Sequence, residues 1–195
     1  MLDSLIPNEA MVTVAVAQTT FAVLSTPLAR FRIDFIDKAE AYLKPGMRGS
    51  FKSYSEHPLL LNYNSRLAEV YINSRPEDPE GLLAEICKRI ESIFQGWRDW
   101  RCVLAYQKSA GEKRLKQNLL DGSGLLLPGA PIVVAKAVIE ACTDYGASTY
   151  VLGDIGNTLP VASPSLLLLI GEGYVIAKDF RIVELSKEKP RLPGQ

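Results

Sequence analysis

The segment from Asp78 to Trp97 constrains the fold more than any other, because it carries both ends of a helix and the face that the helix must bury. Asp78 supplies an N-cap oxygen, and Pro79 fits the first helical position, where its missing N–H costs nothing. Glu80 favours the positive end of the helix dipole. Leu83, Ile86, Ile90, Ile93 and Trp97 recur at helical spacing and form one apolar stripe. Glu85 and Arg89 make an i,i+4 pair on the other face, and Gly96 is a natural C-cap. The spacing predicts a helix over 79–95. A one-faced helix needs a partner layer. Its flanks, Leu67–Ile72 and Trp100–Tyr106, read as strands.

The rest of the chain mixes the two periodicities. Val12, Val14 and Val16 alternate with small residues, so a strand is the first reading of 11–24, with a helix left open. Thr26-Pro27 reads as an N-cap and first helical residue. Leu28, Phe31, Phe35, Ala39 and Tyr42 follow at helical spacing as far as Pro45-Gly46. Phe31, Ile33 and Phe35 also alternate, which keeps a strand over 30–36 open. Residues 50–73 read as sheet, with Asn64-Ser65-Arg66 as the turn of a hairpin near 59–72. Residues 108–120 read as a short helix, and 121–131, DGSGLLLPGAP, as a glycine- and proline-rich loop. Pro131–Tyr145 is apolar nearly all round and reads as a buried helix. Thr149–Leu152 reads as a strand, and Gly171-Glu172-Gly173 as the turn of a second hairpin near 165–185.

The expected class is therefore α+β: a single domain over 1–195, with frayed ends near 1–9 and 186–195. Its mixed sheet has a βαβ-like centre of strand 66–73, helix 79–95, strand 100–106, helix 131–145 and strand 149–152. Hairpins near 59–72 and 165–185 add antiparallel strands.

Charge and cysteines exclude several functions. Lys plus Arg and Asp plus Glu number 22 each, so net charge is zero, which argues against nucleic-acid binding by counterion release. Cys87, Cys102 and Cys142 are odd in number and far apart, which fits a reducing, cytoplasmic setting and not a disulfide framework. The apolar run at 10–24 is preceded by Asp3 and Glu9 and by no Lys or Arg, so neither export nor membrane insertion is expected. One histidine, His57, rules out multi-histidine metal sites; it reads as a polar turn residue before Pro58. No metal or cofactor is expected.

Two segments have the composition of anion sites. Asp154-Ile155-Gly156-Asn157-Thr158 resembles the phosphate loop of the superfamily of acetate and sugar kinases and actin. In that superfamily the Asp holds metal or water near the phosphates, the Gly admits backbone N–H groups and the Thr hydroxyl donates. The likeness covers five residues, and Pro160 and Pro164 interrupt the strand that should come next, so a polar loop is the expectation. The loop 121–131 precedes a helix N-terminus, where free N–H groups attract anions, but it lacks both the Walker and the dinucleotide glycine patterns. The basic run Lys108, Lys113, Arg114, Lys116 reads as a solvated helix face.

Without a catalytic constellation, the function first expected is a non-catalytic protein that assembles with itself or a protein partner. The long apolar run at 166–169 favours it. The alternative is a small enzyme or binding protein for a phosphorylated or anionic ligand. There Lys108, Gly122, Gly124, Asp154, Asn157 and Thr158 would meet at one sheet edge, from loops 121–131 and 153–158.

Overall fold

Strands dominate the described chain before residue 60 and after residue 163. The computed structural model describes residues 6, 10–104, 108–153 and 163–187, without the side chains of 108, 109, 186 and 187. It falls into two compact units, one of residues 1–60 and 163–195 and one of residues 61–162. The first begins with strands β1 (Met11–Ala17), β2 (Phe21–Ser25), β3 (Ala29–Ile36), β4 (Glu40–Tyr42) and β5 (Arg48–Tyr54). The second holds α1 (Leu61–Asn64), β6 (Leu67–Ile72), α2 (Pro79–Phe94), α3 (Lys108–Asp121), β7 (Gly124–Pro131), α4 (Ile132–Asp144) and β8 (Thr149–Leu152). The chain then returns to the first unit as β9 (Leu166–Ile170), β10 (Gly173–Ala177) and β11 (Asp179–Lys187). The class is α+β, with a large antiparallel sheet and a small one.

In β3 the alternation defeats the helical spacing that runs from Leu28 to Tyr42. Ala29, Phe31, Ile33 and Phe35 are all buried, and Arg30 and Arg32 between them are exposed. A helix would scatter these four side chains around its circumference. Thr26 still caps, but it caps a turn between strands: its hydroxyl accepts the N–H groups of Leu28 at 3.3 Å and Ala29 at 3.0 Å. The strand expected at the start of 11–24 is β1.

The large sheet runs β11-β3-β2-β1-β5-β9-β10-β4, and its neighbouring segments pair antiparallel. Its two ends belong to the same pair of strands. β3 continues into β4 through Asp37, which takes a left-handed φ of 46°. β10 continues into β11 through Lys178. Across this joint the Ala39 N–H donates to the Ile176 carbonyl and the Lys178 N–H to the Ile36 carbonyl, both at 2.9 Å. The ladder thus passes unbroken from β11–β3 to β10–β4, with one bulge. The eight segments are six long strands closed into a barrel. Closure joins the two ends of the sheet, and inward side chains fill the interior. Val14, Leu24, Ile33, Phe51, Ile170 and Val175 belong to that core.

Two glycines let the barrel close tightly. A Cβ on Gly49 in β5 would lie 2.3 Å from both the Cα and the N of Gly171, at the turn between β9 and β10. Gly171 itself has a φ of 58°, which glycine adopts at no steric cost. The hairpin expected near 165–185 is present as β9 and β10, with Gly171 and Glu172 as its turn.

The second unit is two-layered. β6 is central, antiparallel to both β7 and β8, so β7 and β8 are parallel to each other with β6 between them. Ala68, Val70 and Ile72 point from β6 into a core with α2, α3 and α4. The helix expected at 79–95 is α2. Asp78 caps it, its carboxylate accepting the Gly81 N–H at 3.0 Å, and Gln95 takes the left-handed C-cap at a φ of 51°. The buried stripe is Leu82, Ile86, Ile90 and Phe94, whereas Trp97 lies past the helix end and is exposed. Arg89 bonds Glu85 as expected and also reaches Asp144 at the end of α4, each at 2.7 Å. The helix expected at 131–145 is α4, with one buried side and Val133 exposed on the other.

Three expectations fail here. The first strand of the hairpin near 59–72 is a 3-10 turn (Pro58–Leu60) running into α1, because His57 and Pro58 start a helical turn at that point. The strand expected over 100–106 is a 3-10 helix at Trp100–Val103, whose N-cap Asp99 accepts the Arg101 N–H at 2.8 Å. Residues 105 and 106 lie outside the described residues. The supposed loop 121–131 is a turn followed by β7, and its leucines pair with β6.

Candidate functional site

The glycines at 122 and 124 have backbone roles. Gly122 closes α3 at a φ of 66°, and a Cβ there would lie 2.3 Å from the Arg75 nitrogen. Gly124 opens β7 at a φ of 120°, and a Cβ there would meet the Asn118 side chain at 2.8 Å. Both are needed for a left-handed conformation and for close approach, which accounts for them without a ligand. Lys108 is the first residue of α3, and its side chain lies outside the described residues. Asp154, Asn157 and Thr158 also lie outside them.

The other singled-out residues are held in structural contacts. His57 accepts the Leu59 N–H on Nδ1 at 3.2 Å, and partial burial pushes its pKa below the ordinary value. In the basic run, Lys116 faces Glu80 at 3.7 Å, while Glu112 is bonded at 2.6 Å by Arg101. Among the described residues no group of three His, Cys, Asp or Glu could hold a metal ion. Among them, too, no helix is long and apolar enough to cross a membrane.

The thiols of Cys87 and Cys142 are pushed up to about 11, chiefly by burial. At pH 8 the thiolate is then on the order of a thousandth of each. Iodoacetamide at pH 8 is therefore expected to leave Cys87 and Cys142 unmodified in the native protein while it consumes a free cysteine peptide. Modification should rise with pH toward 11 and be complete in urea. Peptide mass spectrometry reads this, and rapid native labelling of either residue at pH 8 would contradict the burial described here.

The feature that stands out is the outer face of the small sheet. Register places Leu125, Tyr71 and Tyr150 in one cross-strand row, and Pro128, Glu69 and Leu152 in the next. Leu67 is 51% exposed, Tyr150 47% and Leu152 53%. The Tyr71 and Tyr150 rings stack with centroids 4.7 Å apart and planes 8° from parallel. The Tyr71 hydroxyl donates to Glu69 at 2.8 Å, and that bond raises the tyrosine pKa, while Arg114 opposes the rise from nearby. The face is thus apolar and aromatic, with the carboxylate of Glu69 on it. None of these residues was a candidate from sequence. The signal was present in the alternation of Leu67, Glu69 and Tyr71 with Ala68, Val70 and Ile72. Which set faces solvent depends on where the helices pack.

Nothing among the known protein families, the curated proteins or the solved structures matches this chain.

Proposed function

We propose that this chain is a non-catalytic, cytosolic protein that pairs with a second copy of itself through the outer face of the β7-β6-β8 sheet. The observation that carries this reading is the exposure of Leu67, Tyr150 and Leu152 on one face. Large apolar side chains gathered on one surface mark interaction sites, whereas single ones do not. The occupant follows from charge. Zero net charge adds no long-range repulsion between copies. The cytosolic setting is supported by the free cysteines Cys87 and Cys142.

Sedimentation velocity tests the proposal. The wild-type chain is expected to run as a dimer at roughly 100 µM, a concentration that reveals even micromolar pairing. Leu152→Glu is expected to weaken the dimer by about 100-fold or more, because each interface would bury two carboxylates without partners. A wild-type monomer at that concentration overturns the proposal. So does a Leu152→Glu protein that dimerises as well as wild type.

A further inference from the structure

The barrel has a cavity of about 290 Å³ at one mouth, near the lower end of the range for small-molecule sites. It is lined by Ala17, Gln18, Thr19, Phe35, Lys38, Ala41 and Leu43. Three features of the fold bring these residues together. β1 ends at Ala17, and the tight turn to β2 follows, with the Gln18 N–H donating to the Phe21 carbonyl at 2.8 Å. β3 ends beside it, where the Phe35 N–H donates to the Thr20 carbonyl at 2.8 Å. The bulge at Asp37 then turns the chain, so that Lys38 and, in β4, Ala41 return to the same mouth. Bulges at barrel rims commonly re-aim a side chain.

Ala17, Phe35 and Leu43 form or pack on the barrel core and bring apolar side chains to the lining. Gln18, Thr19 and Lys38 make the polar rim, with an amide, a hydroxyl and an ammonium. Among the described residues that line the cavity, none is a carboxylate. A positive charge and neutral hydrogen-bonding groups, with one aromatic ring among them, suit one kind of ligand. We infer that the barrel mouth binds a small amphipathic anion, whose carboxylate or phosphate head sits on Lys38, Gln18 and Thr19 and whose apolar body rests on Phe35 and Leu43. This site lies wholly within the barrel unit. It requires neither the sheet face of the other unit nor the segments 121–131 and 153–158.

The test is an amide chemical-shift titration with phenylphosphate, with octanoate as the carboxylate probe and phenol as the neutral control. Saturable shifts are expected at the amides of residues 17–19, 38 and 41. Phenylphosphate and octanoate should share them, and phenol should bind at least tenfold more weakly. Lys38→Met keeps most of the side-chain length and removes the charge, and should weaken both anions by about tenfold or more, in line with a lost charge-assisted bond. Ala41→Phe leaves the lysine in place, fills the mouth and should abolish the shifts. If phenylphosphate gives no saturable shift at these amides up to about 20 mM, the inference is wrong. It is equally wrong if Lys38→Met or Ala41→Phe binds the anions as the wild-type protein does. Spectra of the variants that match wild type away from residues 17–43 establish that the barrel is intact.

Discussion

Phe94→Ala is expected to destabilise the second unit by about 3–5 kcal/mol, the usual range for emptying a fully buried phenylalanine site. Phe94 is 0% exposed and closes the buried stripe of α2, in one core with Ile90, Trp100 and Val103. Its removal forfeits transfer energy and leaves a cavity beside backbone that is fixed by the helix cap at Gln95. Trp97→Ala is the informative companion. Apolar spacing alone places Trp97 on the buried face, yet it is 41% exposed in the structure. It is therefore expected to cost about 1 kcal/mol or less, as partly exposed substitutions generally do. Urea unfolding followed by far-ultraviolet circular dichroism compares the two. Equal losses, or a larger loss for Trp97→Ala, would show that α2 presents a different face.

Gly49→Ala is expected to cost the barrel about 2–4 kcal/mol, the scale of an overpacked core site with no flexible neighbour. The added methyl would stand 2.3 Å from two backbone atoms of Gly171, so β5 and the β9–β10 turn must separate. The separation would strain the β5–β9 ladder, in which Phe51 is opposite Ile170. Gly46→Ala is the control. Its φ of 86° makes alanine strained, but nothing lies within 4 Å of the added methyl. Only the backbone penalty of roughly 1–2 kcal/mol applies there. Hydrogen exchange at the β5 and β9 amides should rise far more for Gly49→Ala than for Gly46→Ala. Matching protection in the two variants would refute the close glycine contact.

Local signals were enough wherever one segment decided its own structure. The cap at Asp78, the proline at 79 and the glycine at 96 located α2 to within a residue, since a helix end is set by the few backbone groups it must satisfy. The Gly171 turn and the strand at Thr149–Leu152 were legible for the same reason. Ambiguity appeared where a segment satisfied two periods. Residues 28–42 fit both the helical and the alternating pattern, and only the neighbouring strands β2 and β11 make the alternating one better. Trp100–Tyr106 has strand-like composition, but Asp99 diverts its start into a 3-10 turn. The glycine-rich stretch 121–131 looked like a loop because glycine and proline punctuate loops. In the structure Gly122 and Gly124 serve close packing, and Leu125 and Leu127 pair with β6.

The sequence by itself determined the α+β class, the helix α2, the hairpin of β9 and β10, and the lack of a multi-histidine metal site. These follow from short-range chemistry: caps, turn residues, alternation and the single His57. Tertiary structure decided that β3–β4 and β10–β11 close a barrel, because closure is set by pairing between strands some 140 residues apart, such as Ala41 with Val175 and Phe35 with Phe180. It also decided which side of β6 meets solvent and which residues gather at the barrel mouth. Gln18, Thr19 and Lys38 carry no local mark of a site, and they become one only when two turns are brought to the same end of a closed sheet.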